Sequence, residues 1–472
     1  MNCKFENWEN EMVQSGGEGL KRSLSKRHVQ LIAIGGAIGV GLFLASGDAI
    51  ASAGPSLLLS YLLGGFFIYF IMRALGEIAV EYPISGSFSA YAHEFISPCA
   101  GFIVGWTFWL LWTVSCMVQV TAIGIYCNFW WSELPRWIPA LAALVCITVS
   151  NLLSVKSFGE IAFWSSIIKV ITIVLIIIVG AIILLFGLGS GDGNVPGISN
   201  LFKYGFFANG LKGVFFALTM VTFAFIGVEF IGITAGEAEN PEKTIPSVIN
   251  RVLLITLSLY VGTLFIIMCM YPWPEFSQGG GVEKSPFVLT FAGLGIKQAA
   301  AIINFVIITA SLSTANSGMF SNGRMLHSLA LQKQAPKFLA KVNSRRIPSN
   351  AVIASFIFCL IGVVLNVVVP AGVFMMLLSI TTFLGLFIWG AIIVVQMYSR
   401  RGKSADDIAK LKYPMLFYPY SNYIVLAALV IVSVMLAVKN ETRTTFIVGP
   451  IWLILLYCIY KFFVNEKKLN KN

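Results

Sequence analysis

Ile34-Gly35-Gly36-Ala37-Ile38-Gly39-Val40-Gly41-Leu42-Phe43 is the stretch whose reading decides the fold of this chain. It lies inside an apolar run of about 24 residues, long enough to cross a bilayer. Four glycines fall within seven positions, and each costs a helix roughly 1 kcal/mol against alanine. In lipid, backbone that leaves a helix is tolerated only where protein buries it or where it lines a polar cavity. The run therefore predicts a spanning helix that breaks at a protected place. A related pattern follows near mid-chain, where Ile226-Gly227-Val228-Glu229 matches Ile38-Gly39-Val40-Gly41 in three of four places. Two Gly-interrupted spans in corresponding halves point to a transporter's binding site. The plainer reading is a pair of small-residue patches for close helix packing.

Around these two segments the chain is strongly apolar: 57% of its 472 residues are hydrophobic and 11% charged, with mean hydropathy +0.84. Such a composition predicts an all-α polytopic membrane protein. Hydropathy gives about twelve spans, near 29–51, 55–80, 99–127, 135–154, 160–187, 211–236, 248–271, 286–318, 348–369, 371–399, 420–438 and 443–464. The net charge of +11 is explained by its distribution. Twenty of the 32 basic residues fall in the N-terminal tail, the 319–347 and 400–412 loops and the C-terminus. The positive-inside rule then puts both ends in the cytoplasm, and no nucleic-acid partner is required. Ala51-Ser52-Ala53 resembles a signal-peptidase site, but the apolar stretch before it is too long for a signal peptide and further spans follow.

Individual residues add chemistry. Lys169 lies about eight residues into span 5, ~12 Å deep at ~1.5 Å per residue. An ionisable group there is costly and is a functional candidate by default, with snorkelling to the interface as the alternative. Glu229 sits beside the second glycine break. Glu237 precedes Asn240-Pro241, near a helix C-terminus whose dipole it opposes, so it should have a basic partner or water. Arg73 and Glu77 have the spacing of an i,i+4 pair. Glu81 to Tyr91 suggests a short helix or gate element. Residues 319–347, with Met325, Leu326, Leu329 and Phe338, suggest an amphipathic surface segment. Trp106 and Trp109 suit packing, whereas Trp112 is deeper and suits either packing or a site wall. The eight cysteines contain no C-x-x-C pair, and His28, His93 and His327 are dispersed. No metal site, cofactor or catalytic constellation is expected, so an enzyme is disfavoured.

The chain resembles amino-acid permeases of the amino acid–polyamine–organocation superfamily, over nearly its whole length. It is most similar to the bacterial amino-acid transporter branch that contains D-serine/D-alanine/glycine and proline-specific permeases. The likeness rests on Arg27 to Gly39, Phe158-Gly159-Glu160 with Phe163-Trp164, Gly232 to Glu237 with Asn240-Pro241-Glu242-Lys243, Lys284 to Val288, and Asn316-Ser317-Gly318.

The resemblance implies a LeuT-like fold with broken spans 1 and 6. A tail (1–27) would precede inverted five-helix repeats at 28–187 and 211–400. A loop (401–419), two further helices (420–464) and a second tail (465–472) would complete the chain. Carried over, the amides of Val40 and Gly41, next to Gly39, would hold a substrate carboxylate. The carbonyls of Ala37, Phe223 and Ile226 would hold its ammonium. Phe223 takes the place of an aromatic lid, Trp112 of a pocket wall, and Phe225 a gating or structural place. Lys169 takes the position where sodium-driven relatives bind a cation between spans 1, 5 and 8, with Ser311 or Ser313 as candidate partners.

Half-helix N-termini favour anions and unwound carbonyls favour cations, so a zwitterion needs no charged side chain. A fixed ammonium would repel Na⁺, and burial penalises its charge enough to make proton release feasible. The expected function is proton-coupled uptake of a small neutral amino acid, with Lys169 and Glu229 as the coupling groups. Protons serve as the coupling ion. The setting is the inner membrane of a bacterium, as a monomer or weak homo-oligomer. An amino-acid exchanger and a membrane sensor without net transport are the rival readings.

Overall fold

The computed structural model describes residues 25–84, 86–153, 155–186, 196–277, 286–287, 299–345, 347–369, 372–438 and 442–465. Every regular element among them is helical. The first span is in pieces, α1 (Lys26–Ala37), α2 (Val40–Phe43) and α3 (Ala45–Ala53). Then come α4 (Leu57–Glu81), α5 (Ser87–Phe95), α6 (Pro98–Cys127), α7 (Trp137–Leu153) and α8 (Val155–Phe186). The sixth span is again divided, into α9 (Gly210–Phe225) and α10 (Phe230–Thr234). The remaining long helices are α11 (Pro241–Met270), α12 (Ala299–Leu331), α13 (Ser349–Val368) and α14 (Val373–Ser399). A short α15 (Ala405–Ala409) leads to α16 (Tyr420–Val438) and α17 (Arg443–Ile459).

Ten helical stretches among the described residues are long and apolar enough to cross a membrane, and α7 is a shorter apolar helix. The first of the ten runs from Ala45 to Glu81 and so joins α3 to α4, against about twelve crossings expected from the sequence. Many large apolar side chains point outward, among them Leu254, Ile361, Val430 and Ile454. A water-soluble surface does not carry so much, and lipid is the solvent that suits it. α6 lies at the centre, packed along α12, α14, α5, α13 and α7. α1 is gripped by α8, α12 and α11.

Local chemistry sets the ends. The Ser97 hydroxyl accepts the Ala100 amide at 3.1 Å, and Pro98 opens α6. Proline suits a first helical position because its missing N–H would have no partner there. Pro241 opens α11 in the same way, after Asn240 at φ +48°. The 81–91 region contains the expected short helix. Ser89 donates to the Gly101 carbonyl at 3.0 Å, and Phe88 packs on Phe108.

Three expectations are corrected. Glu77 does not pair with Arg73: its carboxylate accepts Arg400, Gln396 and the Met415 amide, all buried on α14 or the segment after it. Arg73 instead donates to the Pro414 carbonyl at 2.8 Å and stacks on Tyr413. A tertiary partner offering bidentate geometry wins over a solvated i,i+4 neighbour. The region after 318 is not a surface segment, because α12 continues to Leu331 and buries Met325, Leu326 and Leu329; Phe338 is the exposed member. Arg324, assigned to the loop, is buried in that helix against Phe320. The expected start of span 8 falls mostly outside the described residues.

The Glu77–Arg400 pair links α4 to α14, and removing one partner leaves the other charge buried. Arg400→Met should cost about 3–5 kcal/mol of stability. Joining it to Glu77→Met should recover much of the loss. Thermal melting of the detergent-solubilised protein checks this, and losses that simply add would contradict it.

Candidate functional site

The helix α1 stops where Ile38 leaves helical geometry at ψ 89° and Gly39 is extended at φ −129°, ψ −153°. Its amide turns back to the Ala37 carbonyl at 3.0 Å instead of reaching Gly35. Carbonyls freed in this way inside a protein need new donors. Lys169 supplies them, donating to the Gly35 carbonyl at 2.6 Å and to the Ile38 carbonyl at 2.9 Å. The Thr314 hydroxyl lies 3.4 Å from the same ammonium and donates to either carbonyl, at 3.0 or 3.2 Å. One side chain thus joins α8, α1 and α12.

The sequence of α8 explains how lysine faces inward. Ser166, Lys169, Ile173 and Ile176 form one buried stripe at helical spacing, while Ile168, Ile171, Leu175 and Ile178 are exposed. Thr314, not Ser311 or Ser313, is the partner on α12. Ser311 donates to its own helix at Ile307, and the Ser313 hydroxyl has no hydrogen-bond partner among the described residues. A helix turns about 100° per residue, so adjacent Ser313 and Thr314 point in different directions, while Ser311, on the face of Thr314, is spent on its own helix.

At the second break Ile226 leaves the helix at ψ 128° and Gly227 adopts φ +119°. Glu229 caps this turn from within: its Oε2 accepts the Gly227 amide at 3.0 Å. It also accepts the indole N–H of Trp112 from α6 at 3.2 Å and that of Trp389 from α14 at 3.4 Å. All three partners only donate, which complements a carboxylate acceptor. Trp112 further stacks on Phe230, with centroids 4.2 Å apart, so it belongs to this network.

The breaks touch each other. A Cβ on Gly227 would lie 2.4 Å from the backbone carbon of Gly36, and one on Gly41 would lie 2.8 Å from Cα of Ala224. By contrast, a Cβ on Gly39 would meet side-chain ends, the Gln119 amide and the Thr314 hydroxyl, each at 3.0 Å. Val40 and Gly41 begin the resumed helix, where first-turn amides lack intrahelical acceptors. Phe223 lies against Gly41, while its carbonyl already accepts the Ile226 amide at 3.2 Å. Ile226 is buried against Gly385, and Phe225 against Tyr61 and Tyr260. The backbone at Glu237 closes a short 3-10 turn, and its side chain lies outside the described residues. No cluster of metal-ligating side chains occurs among the described residues.

Sequence reasoning missed Tyr260. Its hydroxyl lies 2.9 Å from the Ala37 carbonyl and 2.8 Å from that of Ala224. A tyrosine in the middle of an apolar span was the available signal, since a buried phenol seeks a partner.

Two facing breaks, each closed by a buried ionisable side chain, are joined by the comparisons with known proteins. The model of the amino acid permease family matches residues 28–472. The chain belongs to that family. It is 47% identical to the uncharacterized amino acid permease YtnA of Bacillus subtilis, covering 95% of this chain and 96% of YtnA. Amino-acid permease AapA of the same organism is 44% identical over 94% of this chain and 95% of AapA. The protein named "Probable threonine/serine transporter YbxG", also from Bacillus subtilis, is 44% identical over 96% of this chain and 97% of YbxG. This permease is therefore a multi-pass membrane transporter of amino acids, not an enzyme.

The close approach of the two breaks ranks the glycines of the permease. Gly372 at φ +86° has open space, so Gly372→Ala should cost only about 1 kcal/mol of strain. Gly227→Ala and Gly41→Val force backbone apart and should abolish amino-acid binding at comparable expression. Binding of labelled amino acid to purified variants measures this, and normal affinity in either one would refute the site.

Proposed function

We propose that this permease is a proton-coupled symporter that imports a small neutral amino acid by alternating access. The observation that carries this reading is the Lys169 ammonium on the Gly35 and Ile38 carbonyls. Those oxygens, with the Thr314 hydroxyl, are a cation's ligands, and here the cation is covalently attached and able to release a proton. Protonated, Lys169 holds α1 to α8 and α12 in the arrangement that captures substrate. Deprotonated, it holds them less firmly and lets α1 move. A proton shifts a two-state equilibrium only through different interactions with each state, and lysine supplies that difference.

In this reading the amides of Val40 and Gly41 take the substrate carboxylate, and the carbonyls of Ala37, Phe223 and Ile226 take the ammonium. Phe223 covers the site and Trp112 walls it. Glu229 argues against a basic substrate, because its oxygens are already engaged by three donors. A proton arriving at Glu229 would cost it one of them and loosen α10 from Trp112 or Trp389, which makes it a second coupling group. The name of YbxG, a probable threonine/serine transporter, favours a small hydroxylated substrate. Both breaks and both ionisable groups come from one chain, so a monomer suffices. The basic segments favour cytoplasmic termini in a bacterial inner membrane, with residues 28–187 and 211–400 as inverted halves.

The test is uptake into proteoliposomes with and without an imposed pH gradient. Lys169→Ala should lose proton-driven accumulation while retaining some substrate binding, because the lysine and amino-acid sites are distinct. Lys169→Arg should fail as well, since arginine keeps its proton. Accumulation by Lys169→Ala against a gradient, with protons as the sole driving force, would move the coupling role to another group. Glu229→Gln, which turns an amide donor toward three donors, should reduce uptake at least about tenfold. Near-normal uptake would show its charge to be dispensable.

A further inference from the structure

Tyr260 lies on α11 with its ring and hydroxyl fully buried. The ring is held by Tyr61, edge-on at 5.5 Å, and by Phe225 at 5.4 Å. Its hydroxyl is within hydrogen-bond distance of one carbonyl from each broken span, 2.9 Å from Ala37 and 2.8 Å from Ala224. A phenol has a single proton, so it donates to one of them at a time. The Ala37 carbonyl also accepts the Gly39 amide at 3.0 Å. Whenever Tyr260 donates to it, both of its lone pairs are engaged. An ammonium that needs the Ala37 carbonyl must then displace a donor. The Gly39 amide is fixed two residues along the same turn. The tyrosine hydroxyl has an alternative acceptor already in place and needs only to rotate its proton.

We propose that Tyr260 is a positioning residue that reports occupancy of the amino-acid site from the first break to the second. With the site empty, its proton is shared between Ala37 and Ala224. When a substrate ammonium takes Ala37, the proton passes wholly to Ala224 and strengthens the tie between α11 and α9. The proposal rests on the reading above that Ala37 receives the ammonium. It gives the transporter a way to commit both broken spans to one state after substrate arrives, without moving a side chain.

Tyr260→Phe keeps the ring and removes the shared proton. In the empty variant the Ala37 carbonyl lacks its second donor, so an incoming ammonium has nothing to displace. The Kd for labelled L-alanine and L-threonine, measured on purified protein in nanodiscs, should fall about fivefold. The maximal uptake rate should fall too, because α11 no longer follows occupancy. Para-aminophenylalanine at position 260 has two N–H donors and can serve both carbonyls together. It should have the opposite effect on binding and raise Kd. A residue that merely fills space would weaken binding and lower thermal stability in both variants, and that result overturns the proposal, as does an unchanged Kd in both. Gly41→Val separates this failure from failure of the site. Normal binding in Gly41→Val removes the site reading itself. Loss of binding there, with no change in the Tyr260 variants, removes the reporter role alone.

Discussion

The structure depends on what happens to the carbonyls that α1 releases when it stops before Gly39. In a bilayer they cannot turn to water, and leaving each unpaired would cost several kcal/mol. The chain answers with side chains from three other helices. Lys169 of α8 and Thr314 of α12 take Gly35 and Ile38, and Tyr260 of α11 takes Ala37. The break is therefore a junction. Moving α1 requires changing its bonds to α8, α11 and α12 together, which makes a protonation change at one lysine felt by several helices.

The second break is satisfied differently. Glu229 folds back on Gly227 and reaches two tryptophans on α6 and α14. One break is thus closed by a cationic side chain acting on carbonyls, and the other by a carboxylate acting on N–H groups. Each interruption exposes carbonyls where its first half ends and amides where its second begins, and the two side chains take different members of those sets. The close contact of Gly36 with Gly227 and the shared Tyr260 hydroxyl bring the two breaks together. A zwitterion matches such a site because its own charges can meet backbone alone.

Much of this was legible in the sequence, for physical reasons. Glycines at 35, 36, 39 and 41 are too costly for a plain spanning helix, and Lys169 and Glu229 are too costly to bury without purpose. These signals are local. What escaped depends on contacts between distant segments or on helix rotation. Thr314 is one residue from Ser313, yet it alone faces the lysine. Glu77 finds Arg400, 323 positions away, instead of Arg73 on its own helix. The continuation of α12 to Leu331 was obscured by its basic and polar residues, although Met325, Leu326 and Leu329 keep a helical stripe that packs inward. Tyr260 was hidden because an aromatic residue in an apolar span also serves as simple packing.

The central claim is that the amino acid binds where the two breaks meet, and that Lys169 secures the first of them. Cryo-electron microscopy of the protein in nanodiscs with a bound amino acid tests it most directly. The account predicts density for the substrate between the Val40–Gly41 amides and the turn at Ile226, with the Lys169 amine within hydrogen-bond reach of Gly35 and Ile38. An amino acid bound away from both breaks, or a continuous helix through Gly39, would contradict it.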